Sequence, residues 1–238
     1  MSKSSALKKM MKNMPEGSMF SLKELEKPEI ISTGVSTVDY ALGTGGYARG
    51  CQYMIYGGSS SGKTAFCLTT IGQYQKEHKD SYSCVIDMEH SMTQDWSIKF
   101  GIDPERLVVM RPATSDEMYS MTMEAIESGI FDFVVVDSLG AGMLKSELDN
   151  ENARMAGSSG VITRLVKAIN SSFVTIEREK KVSETNGEKT NDIHVPVVLL
   201  INQVRANLEM YGPSEIFGGG KALEHMVTAI IHVRASKS

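Results

Sequence analysis

A doubly wound, mostly parallel α/β sheet flanked by helices is the fold this sequence predicts, and three observations carry it. The run Phe131-Asp-Phe-Val-Val-Val-Asp137 is apolar almost throughout, as a central parallel strand covered on both faces must be. Apolar strand-like runs alternate with helix-period segments from Tyr53 to Val233, the order of a βαβ sheet. A glycine-rich turn, Gly57 to Gly62, joins a short apolar strand directly to a helix. With 238 residues the chain can bury one full core, or at most two small ones.

Taken in order, residues 3–14 set Leu7, Met10, Met11 and Met14 at helical spacing, with Lys3, Lys8, Lys9 and Lys12 elsewhere on the wheel. Pro15 and Gly17 stop this helix. Its apolar stripe suits either a surface helix tucked onto its own domain or one docked on a neighbouring subunit. Residues 18–31 read as an extended segment interrupted by Pro28, and a short amphipathic helix then carries Val38, Ala41 and Leu42 into a glycine-rich turn. Strands are expected at Tyr53–Tyr56, Ser83–Asp87 and Leu107–Met110. Helices are expected from Lys63 to about Lys76, around Gln94–Phe100, and through Met118, Met121, Ala125 and Ile126.

Residues 140–158 show no period and read as a mobile loop. Val161, Ile162, Leu165, Val166 and Ile169 mark one helix face. Residues 177–192 are charged and turn-rich, which predicts a solvated loop or hairpin. A buried strand, Val195–Ile201, ends in Asn202-Gln203-Val204-Arg205. A polar, glycine-rich stretch follows to Gly220, then a helix (Lys221–Met226) and a last strand (Thr228–Val233).

Composition narrows the function classes. The net charge of −4 excludes a wholesale basic footprint for nucleic acid, but not a local basic groove. Cys51, Cys67 and Cys84 each sit beside apolar residues, the pattern of reduced core thiols in a cytoplasmic protein. The five histidines lack metal-ligand spacing, so any metal is expected to arrive with a nucleotide. No apolar run approaches the roughly 20 residues that span a bilayer, and the basic N-terminus has no apolar core of a signal peptide.

The chemistry centres on Gly57-Gly58-Ser59-Ser60-Ser61-Gly62-Lys63-Thr64-Ala65, which fits glycine, four residues, then Gly-Lys-Ser/Thr, the P-loop pattern. Its glycines let consecutive N–H groups turn toward phosphate oxygens, and the following helix adds its N-terminal donors and partial positive charge. Lys63 is placed to reach the β- and γ-phosphates and Thr64 to hold Mg²⁺. Asp137, ending an apolar strand, is the expected second Mg²⁺ contact. Hydrolysis also needs a group to orient the attacking water. Glu89 and Asp87 both lie at a strand's carboxyl end, where ligands gather in open α/β sheets, and pattern alone leaves the two in competition. Gln203, at another strand end, is a candidate γ-phosphate sensor, or else structural. Beyond it, Arg205, Asn207, Tyr211, Phe217 and Lys221 combine cations and aromatics on a glycine-rich stretch. That combination suits single-stranded nucleic acid, or is an ordinary surface loop.

The order of these motifs resembles the RecA recombinase family over essentially the whole chain. The matching stretches are Glu16-Gly-Ser-Met-Phe-Ser-Leu, Ile31-Ser-Thr-Gly, Asp39-Tyr-Ala-Leu-Gly-Thr-Gly-Gly, Ile55-Tyr-Gly-Gly-Ser-Ser-Ser-Gly-Lys-Thr, Ile86-Asp-Met-Glu-His, Val135-Val-Asp-Ser, Ile201-Asn-Gln-Val-Arg and Gly218-Gly-Gly-Lys-Ala-Leu. The resemblance implies a RecA-like P-loop NTPase core over residues 31–238, preceded by an oligomerisation arm over residues 1–30. It implies ATP and Mg²⁺ as cofactors, Glu89 as the carboxylate that activates water, and Gln203 as the γ-phosphate sensor. Trp96 falls where the family stacks an aromatic on adenine. A first DNA-binding loop is implied near 148–157, with Arg154 and Met155, and a second at 204–218. There Tyr211 stands where the family wedges an aromatic between base steps.

The resemblance further implies a cytoplasmic, DNA-stimulated ATPase that forms helical filaments on single-stranded DNA and pairs it with duplex DNA. The chain also departs from the family pattern. Thr93 replaces an acidic residue near the adenine, both DNA loops are a residue or two short, and the 177–192 insertion is atypical. The chain stops at Ser238, before the family's further strands and C-terminal DNA-capturing domain. A catalytically impaired, nucleotide-gated DNA-binding or filament-modulating protein, and a RecA-like helicase or motor, are therefore carried as alternatives.

Overall fold

Six parallel strands make one sheet, and their order is what assembles the site. The computed structural model describes residues 3–15, 18–19, 21–24, 27–140, 154–185, 194–206, 215–217 and 220–235. Helix α1 (Lys3–Lys12) is followed by a short antiparallel pair, β1 (Ile30–Ile31) with β2 (Tyr47–Ala48), around α2 (Ser36–Leu42). The core runs β3 (Gln52–Gly57), α3 (Lys63–Glu77), β4 (Ser83–Asp87), α4 (Gln94–Lys99), β5 (Leu107–Met110), α5 (Ser115–Glu127) and β6 (Phe133–Asp137). It continues with α6 (Arg154–Thr185), β7 (Val197–Ala206), β8 (Glu215–Phe217), α7 (Gly220–Met226) and β9 (Ala229–His232). The sheet order is β5-β4-β6-β7-β3-β9, with β8 pairing antiparallel to β7 beyond the parallel ladder.

Successive side chains of a strand point to opposite faces, and here both faces are apolar. Met54, Cys84, Ile86, Val134, Val136, Val198 and Leu200 pack against α5, α6 and α7. Their neighbours Tyr53, Ile55, Val85, Phe133, Val135, Leu199 and Ile201 pack under α3, with Met92, Ile102, Ile31 and Tyr47. That two-sided cover is why the strands lack hydrophobic/polar alternation. Burial pushes the Cys84 thiol up to about 12 and raises Cys67 as well, so both are inert packing groups at neutral pH.

At the amino ends of the strands, Arg49 gathers the N-terminal segment. Its Nε donates to Glu29 Oε2 at 2.6 Å, and Nη2 donates to Asp132 Oδ1 at 2.8 Å and to the Tyr74 hydroxyl at 2.7 Å. The backbone N–H of Arg49 also donates to the Glu29 carbonyl at 3.0 Å.

Three expectations need correction. The segment 177–192 is not a loop from its start, because α6 continues to Thr185. Phe173 and Ile176 extend the buried stripe begun at Val161 and Ile169, while Glu, Arg and Lys are good helix formers on the open side. Glu177 stands four residues before Lys181, the favourable order for a helical pair. The segment 140–158 is helical from Arg154 onward, where glycines and serines mask the period. The 204–220 stretch begins and ends in regular structure. Val204, Arg205 and Ala206 pair with Phe217, Ile216 and Glu215, and α7 starts at Gly220. Smaller differences are a 3-10 turn at Leu22–Glu24 and a shorter first helix.

α3 lies so close to the 100–102 turn that a Cβ on Gly72 would strike the Phe100 carbonyl oxygen. Alanine there gains about 1 kcal/mol of helix propensity but loses more to overpacking, roughly 1–3 kcal/mol. Gly72→Ala should therefore lower stability in urea melts. Gly160→Ala in α6, where nothing lies within 4 Å of the added Cβ, should raise it by about 0.5–1 kcal/mol. Equal behaviour of the two variants would contradict this packing.

Candidate functional site

Parallel register brings four strand ends to one place. Gly57 lies opposite Gln203 across β3 and β7, and Asp87 lies opposite Asp137 across β4 and β6. The turn from Gly58 to Gly62 rises above β3 and feeds α3, whose cap Gly62 has φ 96°, a left-handed conformation that glycine adopts without Cβ strain. A cavity of about 330 Å³ opens here, lined by Ser59, Ser60, Ser61, Gly62, Lys63, Thr64, Ala65, Glu89, Ser91, Trp96, Asp137 and Gln203. The size suits a small-molecule ligand. The carbonyls of Gly57 and Gly58, just before the lining residues, accept from Lys63 Nζ at 3.1 and 2.8 Å.

Two clusters of hydrogen bonds organise the cavity. The Thr64 hydroxyl donates to Asp137 Oδ2 at 2.6 Å. On the other wall, Glu89 Oε1 accepts from the Ser138 hydroxyl at 2.8 Å and from the Gln203 amide at 2.6 Å. The two carboxylates that pattern left in competition are thus used differently. Asp87 is fully buried, and its oxygens accept from the backbone N–H groups of Ser91 and Met92 at 3.0 and 3.1 Å. Arg111 Nε stands 3.5 Å from the same carboxylate and Nη2 donates to the Met92 carbonyl at 2.9 Å. Asp87 therefore shapes the loop that carries Glu89, while Glu89 itself faces the cavity. Trp96 lines the rim, edge-on to Phe100 with centroids 5.7 Å apart. Thr93 caps α4 by accepting from the Trp96 N–H at 3.3 Å.

Sequence reasoning missed Ser91 and Ser138. The available signal was position: each lies within two residues of a nominated carboxylate. The nucleic-acid candidates among the described residues lie on several elements. Arg154 and Met155 open α6, Arg205 and Phe217 lie on the paired β7 and β8, and Lys221 is in the first turn of α7. Asn207 and Tyr211 lie outside the described residues.

The oxygens of Thr64 and Asp137 are the hard donors that Mg²⁺ prefers, so the donor set fits that ion. Electrostatics agrees. Burial, with Glu89 and Asp87 nearby, outweighs the Thr64 hydrogen bond and Lys63 and pushes Asp137 up to about 6 from 3.8. A carboxylate buried with too little positive charge is what a divalent cation would relieve.

The family model described as the RecA N-terminal domain matches residues 2–238. The chain belongs to the RecA family. It is 32% identical over 235 residues to Protein RecA of Enterococcus hirae, which covers 98% of this chain and 63% of that protein. Against Protein RecA of Enterococcus faecalis it is 32% identical over 236 residues, covering 98% and 62%. Against that of Kineococcus radiotolerans it is 32% identical over 226 residues, covering 94% and 60%. The chain thus spans less than two thirds of the length of these RecA proteins. Its six-strand parallel sheet flanked by helices is that of a RecA-like core. Among the described residues no helix is long and apolar enough to cross a membrane.

The raised Asp137 predicts a pH signature. Folding favours its protonated form, so its contribution to stability is full below 3.8 and is lost as pH rises through about 6. Asp137→Asn should therefore stabilise the nucleotide-free protein at pH 7.5, by on the order of 2–3 kcal/mol. It should add little at pH 4, while removing any stabilisation by Mg²⁺ with nucleotide. Denaturant melts across pH 4–8 on both proteins check this.

Proposed function

We propose that this RecA-family chain is a DNA-dependent ATPase of homologous recombination and repair, binding ATP and Mg²⁺ in the strand-end cavity. One observation carries the reading: Gln203 touches Glu89 inside the cavity and stands one residue before the β7–β8 pairing. A change at the phosphate end of the site is thereby delivered directly to the 204–217 segment.

The division of labour follows from the groups present. The loop N–H groups and the α3 N-terminus receive the triphosphate, and the Lys63 ammonium leaves its carbonyl partners for phosphate oxygens. Thr64 and Asp137 hold Mg²⁺, which supplies charge neutralisation for phosphoryl transfer. Trp96 stacks on the base. Glu89 accepts a proton from the attacking water. Gln203 reports the γ-phosphate, and the segment after Val204 grips single-stranded DNA through its cations and aromatics. Arg154 and Met155 belong to the first DNA-contacting segment. The arm supports assembly into a helical filament: α1 buries none of its residues and leaves Leu7, Met10 and Met11 exposed, with Met14 exposed just beyond its end. A neighbouring protomer would cover that stripe, and the filament would pair its strand with duplex DNA.

Phosphate release should require single-stranded DNA and drop at least about 100-fold in Lys63→Ala and Glu89→Gln. Turnover at the same rate without DNA would defeat the reading. Tight ATP and DNA binding with no turnover would favour a nucleotide-gated binding protein instead. Closed rings in electron micrographs would favour a motor. Replacing Leu7 and Met10 by lysine should abolish filaments on DNA while leaving the thermal shift by Mg²⁺ and ATP in place.

A further inference from the structure

We propose that Ser138 is a positioning residue for Glu89, holding that carboxylate on target when Gln203 turns to the nucleotide. The inference rests on the reading of Glu89 given above and adds a residue to it. Glu89 Oε1 takes two hydrogen bonds, from the Ser138 hydroxyl at 2.8 Å and from the Gln203 amide at 2.6 Å. Both donors use one oxygen, which leaves Oε2 as the face of the carboxylate turned to other partners.

The two donors differ in what anchors them. Gln203 is half-buried, has a long side chain, and sits where the parallel ladder gives way to the β7–β8 pairing. Ser138 is 1% exposed and fixed by the backbone on both sides. The Asp137 carbonyl before it accepts from the Met88 N–H at 2.7 Å, and the Leu139 N–H after it donates to the Ile201 carbonyl at 2.9 Å. The backbone on either side of Ser138 is therefore tied to the residue after β4 and to β7 at once, and its one-carbon side chain has little freedom to lose. Where Gln203 reports the γ-phosphate by swinging its amide onto that ligand, the contact to Glu89 is given up. Ser138 is then the donor that remains. A carboxylate on a flexible two-carbon stem, released from both partners, would sample several rotamers. The rate cost of such misplacement is large even for shifts near 1 Å.

The test compares the unaltered chain with Ser138→Ala, assayed with single-stranded DNA, Mg²⁺ and ATP. The expected result is a kcat roughly 10- to 100-fold lower, with KM for ATP within about twofold and an unchanged thermal shift by Mg²⁺ with ADP. Adding Ser138→Ala to Glu89→Gln should lower the rate no further, because the two act through one group. Unchanged kcat would overturn the proposal. So would a rise in KM together with loss of the thermal shift, which would make Ser138 a support of the pocket wall.

A second readout needs no turnover. In protein labelled with ¹³C at glutamate carboxyls, the Glu89 signal, assigned through Glu89→Gln, should shift or broaden in Ser138→Ala. An unmoved signal would overturn the proposal. Wild-type protein that hydrolyses nothing while this signal still moves would sink the ATPase reading and leave the Ser138–Glu89 contact standing.

Discussion

Strand register is the constraint on which everything else in this molecule depends. Hydrogen bonding pairs Gly57 with Gln203 and Asp87 with Asp137, so four loops leave the sheet at one level. A slip of one residue in any pairing would turn every side chain to the wrong face. It would also separate Thr64 from Asp137 and Glu89 from Gln203. The register is held in turn by apolar side chains on both faces, from Met54 and Val134 on one side to Ile55 and Phe133 on the other. Core packing and site geometry are thus a single requirement here.

The site itself works against the stability that this packing supplies. Lys63 is buried, and its ammonium is satisfied by loop carbonyls. Asp137 is buried without enough positive charge and its ionisation is suppressed. Groups arranged for a charged ligand are poorly arranged for an empty pocket, a conflict common where function requires buried charge. Asp87 shows the contrasting solution. It is buried just as deeply, but backbone N–H groups and Arg111 surround it, so it serves architecture.

The same contrast separates what is legible in the sequence from what is not. The glycine-rich turn, Lys63 and Thr64 are legible because their spacing is local and the strand before and helix after fix their direction, and Asp137 because it ends an apolar strand. The choice between Asp87 and Glu89 is not legible from pattern. It depends on the bend through Ser91 and Met92, which turns one carboxylate inward and the next outward. Ser138 escapes notice because a serine after a strand has many uses, and only Glu89, distant in sequence, gives it this one. The charged end of α6 misleads for a different reason. Its polar residues dominate the composition, while Phe173 and Ile176 keep the stripe that decides the conformation. For Asn207 and Tyr211 the reading remains one of sequence.

Arg49 has a mechanical meaning beyond its hydrogen bonds. Through its side chain and its own backbone it rivets Glu29 to the underside of the sheet, far from the cavity on the carboxyl side. Glu29 is thereby tied to the amino end of β6 and to α3. A pull on the chain at Glu29 would reach the sheet at the amino ends of its strands, on the side opposite the glycine-rich turn that follows Gly57.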